Sequence, residues 1–182
     1  LASTTLPFHY NKIEELQRIA MDHGDDMAAI VIEPIRGTQP LPGFLEAVRD
    51  LASSSGAVLV FDECSSGFRI NCGGAHMTFG VEPDIAMFAK GMSNGYAMAA
   101  LIGRSKVMRS AEDTFMSSSY WTEKIGPAAA LACIKKFGEK SVHKHLISVG
   151  QTIQAGWKDL GEQAGLPIVV GGIPPLSHFT IN

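Results

Sequence analysis

Apolar positions along the chain follow two rhythms in alternation. From Asn11 to His23 they recur at helical spacing, with Ile13, Leu16, Ile19 and Ala20 on one stripe. Asn11 is placed to cap this helix, Glu14 to complete a capping box, and Gly24 to stop it. Ala28 to Ile32 is a short, continuously apolar, β-branched run, which predicts a strand buried on both faces. A second helix is predicted from Gly43 to Ser54, with Phe44, Ala47, Val48 and Leu51 on one side and Gly56 ending it. Ala57–Phe61, Ile85–Ala89 and Met98–Ile102 read as three more buried strands.

Strand, helix and strand with short connections predict right-handed crossovers and a mainly parallel sheet, an α/β fold. Further on, Pro127 to Phe137 reads as a helix with proline in its first turn, and a longer helix runs from about Ser141 to Gly161. Ile168–Val170 and Ser177–Ile181 read as strands, punctuated by Gly171, Gly172, Pro174 and Pro175. The change of rhythm near Gly138 predicts a boundary. Residues 1–138 then belong to a larger domain, and 139–182 to a linking helix and the start of a smaller one.

Composition narrows the class. The chain has 182 residues, a hydrophobic share of 46% and a formal net charge of −3, which excludes a disordered chain and a basic nucleic-acid binder. Apolar runs stop at about six residues where a membrane span needs roughly 20. Three cysteines without a C-x-x-C pair argue against a disulfide framework or a cysteine zinc site and suit a reducing cytoplasm. No metal site is expected, because His143 and His145, two residues apart on a helix, do not share a face. The N-terminal LASTTLPFHYNKIEE has no leader pattern and no initiator Met, and reads as the inside of a longer chain.

Ligands of open α/β sheets bind beyond the carboxyl ends of the strands. Glu33, Asp62-Glu63 and Lys90-Gly91 stand directly after three predicted strands. Carboxylates and a lysine at one sheet edge suit pyridoxal phosphate. That cofactor needs a lysine for its Schiff base and a carboxylate at its ring nitrogen. Taken singly, such residues are more often caps, turn formers or solvated side chains.

Four ordered segments add to this: IEPIRG (Ile32 to Gly37), VFDECSSGFR (Val60 to Arg69), GVEPDIAMFAKGMSNGYAMAALIG (Gly80 to Gly103) and SSSYWTEKIGP (Ser117 to Pro127). Together they resemble the class III pyridoxal-phosphate aminotransferases. The GFR and GGAH elements are most similar to the branch containing glutamate-1-semialdehyde aminomutase. The resemblance implies the large domain of a fold-type-I transferase, a three-layer α/β/α unit, with the start of a small α+β domain. It implies Lys90 as Schiff-base lysine and proton shuttle, and Asp62 at the pyridine nitrogen. Cys64 would pack beneath the ring where the family has Val or Ile, and Glu33 would lie close to the site. Ser65 replaces a glutamine that contacts the cofactor's phenolic oxygen, so its contact is either lost or made through water. Thr122 would bind the phosphate held by the neighbouring subunit of a homodimer, with Tyr120 and Trp121 as interface anchors or core aromatics. The family's upstream phosphate cup and downstream substrate arginine have no counterpart in the sequence.

The implied activity is amino transfer between a small-molecule amino donor and a keto or aldehyde acceptor. An intramolecular aminomutase would use the same residues. A nucleotide-binding α/β module is disfavoured by the absence of G-x-G-x-x-G and G-x-x-x-x-G-K-[ST], and a non-catalytic fragment is the remaining alternative. His76 is a weaker candidate for a substrate contact.

Overall fold

The computed structural model describes residues 4–120 and 122–182. Four strands, β1 (Ala29–Ile32), β2 (Val58–Asp62), β3 (Ile85–Phe88) and β4 (Ala100–Gly103), form one sheet in that order. The first three are parallel. Ile32 lies opposite Phe61 and Asp62 opposite Met87, while β4 runs antiparallel to β3. The helices are α1 (Ile13–His23), α2 (Phe44–Ser55), the single turns α3 (His76–Phe79) and α4 (Ser105–Met108), α5 (Ile125–Glu139) and α6 (Val142–Ala164). A two-stranded antiparallel sheet, β5 (Ile168–Gly171) with β6 (His178–Ile181), follows. No helix among the described residues is long and apolar enough to cross a membrane.

Strand alternation builds the core. Ile30, Ile32, Leu59 and Phe61 pack on Leu16 of α1 and on Phe44, Leu45, Val48 and Ala52 of α2. Ala86 and Phe88 continue the same face, over Phe68, Met92 and, from α5, Ala130 and Phe137. Each large side chain buried this way contributes about 1.5–3 kcal/mol. Gly56 ends α2 in the left-handed region, as its position in the sequence predicts.

The sequence predicts strands buried on both faces, and here the structure differs. Val31 and Leu101 are 58% and 56% exposed, and Val60 and Met87 between them are half-buried. Register places these four on the face opposite Phe61. The described residues cover one face of β1, β2 and β3 and leave the other open, so they supply two of the three expected layers.

Two caps also differ. Asn11 does not cap α1. It stands at φ 66°, its side chain donating to Gln39 O and accepting from Leu41 N, both at 2.9 Å. These distant backbone partners take the atoms a cap would have used, and α1 begins at Ile13. The helix predicted from Pro127 begins at Ile125, because the Glu123 carboxylate accepts from Ile125 N and Gly126 N at 2.6 and 3.0 Å.

At the amino end of β3, Asp84 accepts from Arg49 Nη1 at 2.7 Å and from Leu59 N at 2.8 Å. This half-hidden ion pair ties α2 to the sheet.

Candidate active site

Parallel register brings the carboxyl ends of β1, β2 and β3 to one edge. Asp62 ends β2 level with Met87, so Lys90 is three residues further along the neighbouring strand's path. Asp62 continues the alternation onto the open face, whereas Glu63 turns inward and is wholly buried.

Asp62 Oδ1 accepts from the backbone N of Cys64 at 2.9 Å, a turn that fixes the carboxylate two residues back. The Cys64 thiol is pushed up by burial, by its hydrogen bond to Asp62 and by that residue's charge. Lys90 lowers it and Glu33 raises it more weakly. The three groups expected at the sheet edge all act electrostatically on this sulfur, which stays a neutral thiol.

Lys90 adopts φ +44°, in the left-handed region, and opens a tight turn in which Asn94 N donates to Lys90 O at 3.0 Å. A non-glycine residue held there costs roughly 1–3 kcal/mol, and it re-aims the side chain. Lys90 Nζ donates to Ser65 Oγ at 2.6 Å. Two glycines allow that meeting. A Cβ on Gly67 would stand 2.7 Å from Glu63 O and from the Phe88 ring, and one on Gly91 would stand 3.3 Å from Gly67 O. The turn after β2 thus nests against the turn after β3, with Ser65 facing Lys90.

Glu33 lies at the same edge but one step aside. Its Oε1 accepts from Arg36 Nη1 at 3.0 Å, and its buried Oε2 has no partner among the described residues. It lines a small hollow with Tyr10, next to a larger cleft of about 590 Å³ that contains Ser65 and Lys90. Thr122 is not brought to this group. It is exposed in the loop before α5 and makes no hydrogen bond among the described residues. Trp121 lies outside the described residues. His143 stacks on Phe137 at 6.0 Å, and His145 is exposed on α6, away from the sheet edge.

One cluster was not foreseen from sequence. The Glu63 carboxylate accepts from Ser66 Oγ at 2.5 Å and from His76 N at 2.9 Å, and faces His76 Nδ1 at 2.8 Å. The signal was present: Asp62 and Glu63 are adjacent on a strand path and cannot share a face, so one must enter the core and find donors there. His76 is accordingly a partner of Glu63.

The model of the class-III aminotransferase family matches residues 7–172. The chain belongs to this family. Among curated relatives, the 3-aminobutyryl-CoA aminotransferase of Cloacimonas acidaminovorans (strain Evry) is 38% identical, over 96% of this chain and 44% of its own length. A glutamate-1-semialdehyde 2,1-aminomutase of Desulfitobacterium hafniense (strain DSM 10664 / DCB-2) is 30% identical, over 95% and 42%. The solved structure of the FumI protein of Sphingopyxis sp. MTA144, in its PLP internal aldimine form, superposes with a TM-score of 0.92 at 26% identity, over 97% of this chain and 44% of that one. An omega-transaminase from Sphaerobacter thermophilus gives 0.82 at 29% identity, over 97% and 41%. The class-III chain therefore has the transaminase fold and spans less than half the length of these relatives.

Proposed function

We propose that the protein carrying this chain is a pyridoxal-phosphate-dependent aminotransferase, moving an amino group from a small-molecule donor to a keto or aldehyde acceptor. One observation carries the reading. Lys90 and Asp62 arrive at adjacent strand ends, each held by a specific hydrogen bond, with the neutral Cys64 thiol two residues from Asp62. These residues fit the cofactor: an amine to bind its aldehyde, a carboxylate for its ring nitrogen, and an uncharged filler for its flat face. When bound, the cofactor supplies an electron sink for the substrate's amine-bearing carbon.

The chain's residues then divide the work. Asp62, oriented by Cys64 N, keeps the ring nitrogen protonated. Ser65 Oγ orients the Lys90 amine, which takes the proton from the substrate's amine-bearing carbon. Thr122 serves the phosphate held by the other subunit of a homodimer. Supporting this, Thr122 lacks a hydrogen-bond partner among the described residues, and the loop around it exposes Phe115 and Tyr120. Glu33 borders the site. Residues 1–138 form part of the large domain and 139–182 the link and start of the small one. The two separate sheets support that division. Three free, half-buried cysteines support a cytoplasmic setting.

The 30% identity to an aminomutase favours a second reading, in which both half-reactions stay on one substrate. A requirement for an external amino acceptor separates the two. For the main reading, borohydride reduction of the full-length protein with peptide mapping should place the pyridoxyl label on Lys90. A label on Lys106 or Lys124, or none, overturns it.

A further inference from the structure

Among the described residues, the cleft beside Lys90 is lined by Arg36, Ser65, Arg69, Lys90 and His178, and by no aspartate or glutamate. Three formal positive charges converge there in a chain whose net charge is −3. Glu33, in the adjoining hollow, offsets one of them through Arg36, and the other two repel unless a further anion joins them.

Neither arginine has its fork fully occupied. Arg69 Nε donates to Ser65 O at 3.3 Å, so its stem is tied to the residue that holds Lys90. Its two terminal nitrogens have no partner among the described residues. Arg36 gives Nη1 to Glu33 in a surface pair whose side chains are 65% and 32% exposed, and its other donors have no partner among the described residues. The contrast is Arg49, 17% exposed and bound to Asp84, where the guanidinium is built into the scaffold.

We propose that Arg36 and Arg69 form an anion subsite that receives an acid group of the substrate, a carboxylate held by the planar guanidinium forks, while its amine-bearing carbon lies at Lys90. This rests on the proposed aminotransferase reading and names its substrate class: amino or keto compounds with a second, anionic end. His178, at the first position of β6, also lines the cleft, its ring beside Gly37. The phosphate of the cofactor is the other anion these arginines could meet, and the test separates the two.

Glutarate, a dicarboxylate that cannot react, is titrated calorimetrically into the full-length holoenzyme and into its Arg36→Gln, Arg69→Gln and Arg69→Lys variants. Glutaramide, of the same shape without charge, is the control. Pyridoxal phosphate is titrated into the apo forms. The expected result is glutarate affinity roughly 10- to 150-fold weaker in both glutamine variants. Arg69→Lys should restore part of it, cofactor affinity should stay within about twofold, and glutaramide should bind wild type at least about tenfold more weakly than glutarate. Equal wild-type affinity for glutarate and glutaramide overturns the subsite without any variant. So does unchanged glutarate binding in both glutamine variants, or a loss confined to cofactor affinity, which would assign the arginines to the phosphate. Because the titration reads binding, a failure of Lys90 to take the pyridoxyl label would sink the aminotransferase reading separately.

Discussion

Glu63 Oε1 and His76 Nδ1 stand 2.8 Å apart in the protein interior, and the carboxylate between them and Ser66 has no access to solvent. Burial alone would raise the Glu63 carboxyl. The His76 ring, the Ser66 hydroxyl and the backbone N–H groups of His76 and Ala75 outweigh it and hold the group below the ordinary carboxylate range. Three hydrogen-bonding groups on one charge close the turn from Glu63 to His76, which carries Cys64 and Ser65.

Such a group links folding to pH with a definite sign. Its folded value lies below its unfolded one, so its stabilisation is complete above the unfolded carboxyl value and fades as pH falls through the folded one. Thermal melts of wild type should lose stability below about pH 4.5, and Glu63→Gln should flatten part of that slope. Glu63→Ala, which leaves buried donors unpaired, should cost about 3–5 kcal/mol in urea unfolding. A loss below about 1 kcal/mol would mean the cluster is not holding the turn.

Asp62→Asn should leave the cofactor bound while slowing turnover by more than about 100-fold, because an amide cannot keep the ring nitrogen protonated. Single-turnover absorbance changes in the full-length protein would read the proton-transfer step directly. Wild-type rates would reduce Asp62 to a turn former for Cys64.

Thr122→Ala tests the shared site. Loss of one hydrogen bond to a phosphate should weaken cofactor binding roughly 10- to 150-fold without unfolding the chain. A Lys90→Ala subunit mixed with a Thr122→Ala subunit creates one site lacking both groups and one intact site. Activity should therefore return at limiting cofactor. Heterodimers that form and stay inactive would show that Thr122 does not serve the other subunit's site, and the shared-site reading would fail.

Asp84 gives a control remote from the chemistry. Burial would raise its carboxyl, but Leu59 N, Arg49 and, more weakly, Arg104 bring it below its usual value. Asp84→Ala should lower stability by about 2–3 kcal/mol, discounted from a fully buried pair for its partial exposure. It should leave the position of the borohydride label unchanged. Denaturation and labelling on the same preparation would show whether the two effects separate.

What could be read from the residues alone follows from how far each depends on distant chain. Lys90 and Asp62 are fixed by short-range rules, since each ends an apolar strand whose direction the crossovers dictate. Asn11 was misread because its side chain answers to Gln39 and Leu41, across a loop no local pattern reveals. The contact of Ser65 with Lys90 needed the close approach of Gly67 and Gly91, which spacing does not show. Arg36 and Arg69 look like ordinary surface arginines until segment 176–178 folds in to line one cleft with them. Thr122 could be singled out only by resemblance, since the structure gives it no partner among the described residues of its own chain.

The open side of the sheet bears on how this stretch behaves when produced by itself. Val31 and Leu101 lie on the two outermost strands, each offering a backbone edge unpaired among the described residues beside exposed apolar side chains. Strands of that kind invite addition of further copies and, eventually, precipitation. The 182-residue piece expressed in isolation should self-associate through β1 and β4. Lysine or glutamate at Val31 and Leu101 should restore solubility without disturbing the buried face, because both side chains point away from Phe61 and its neighbours.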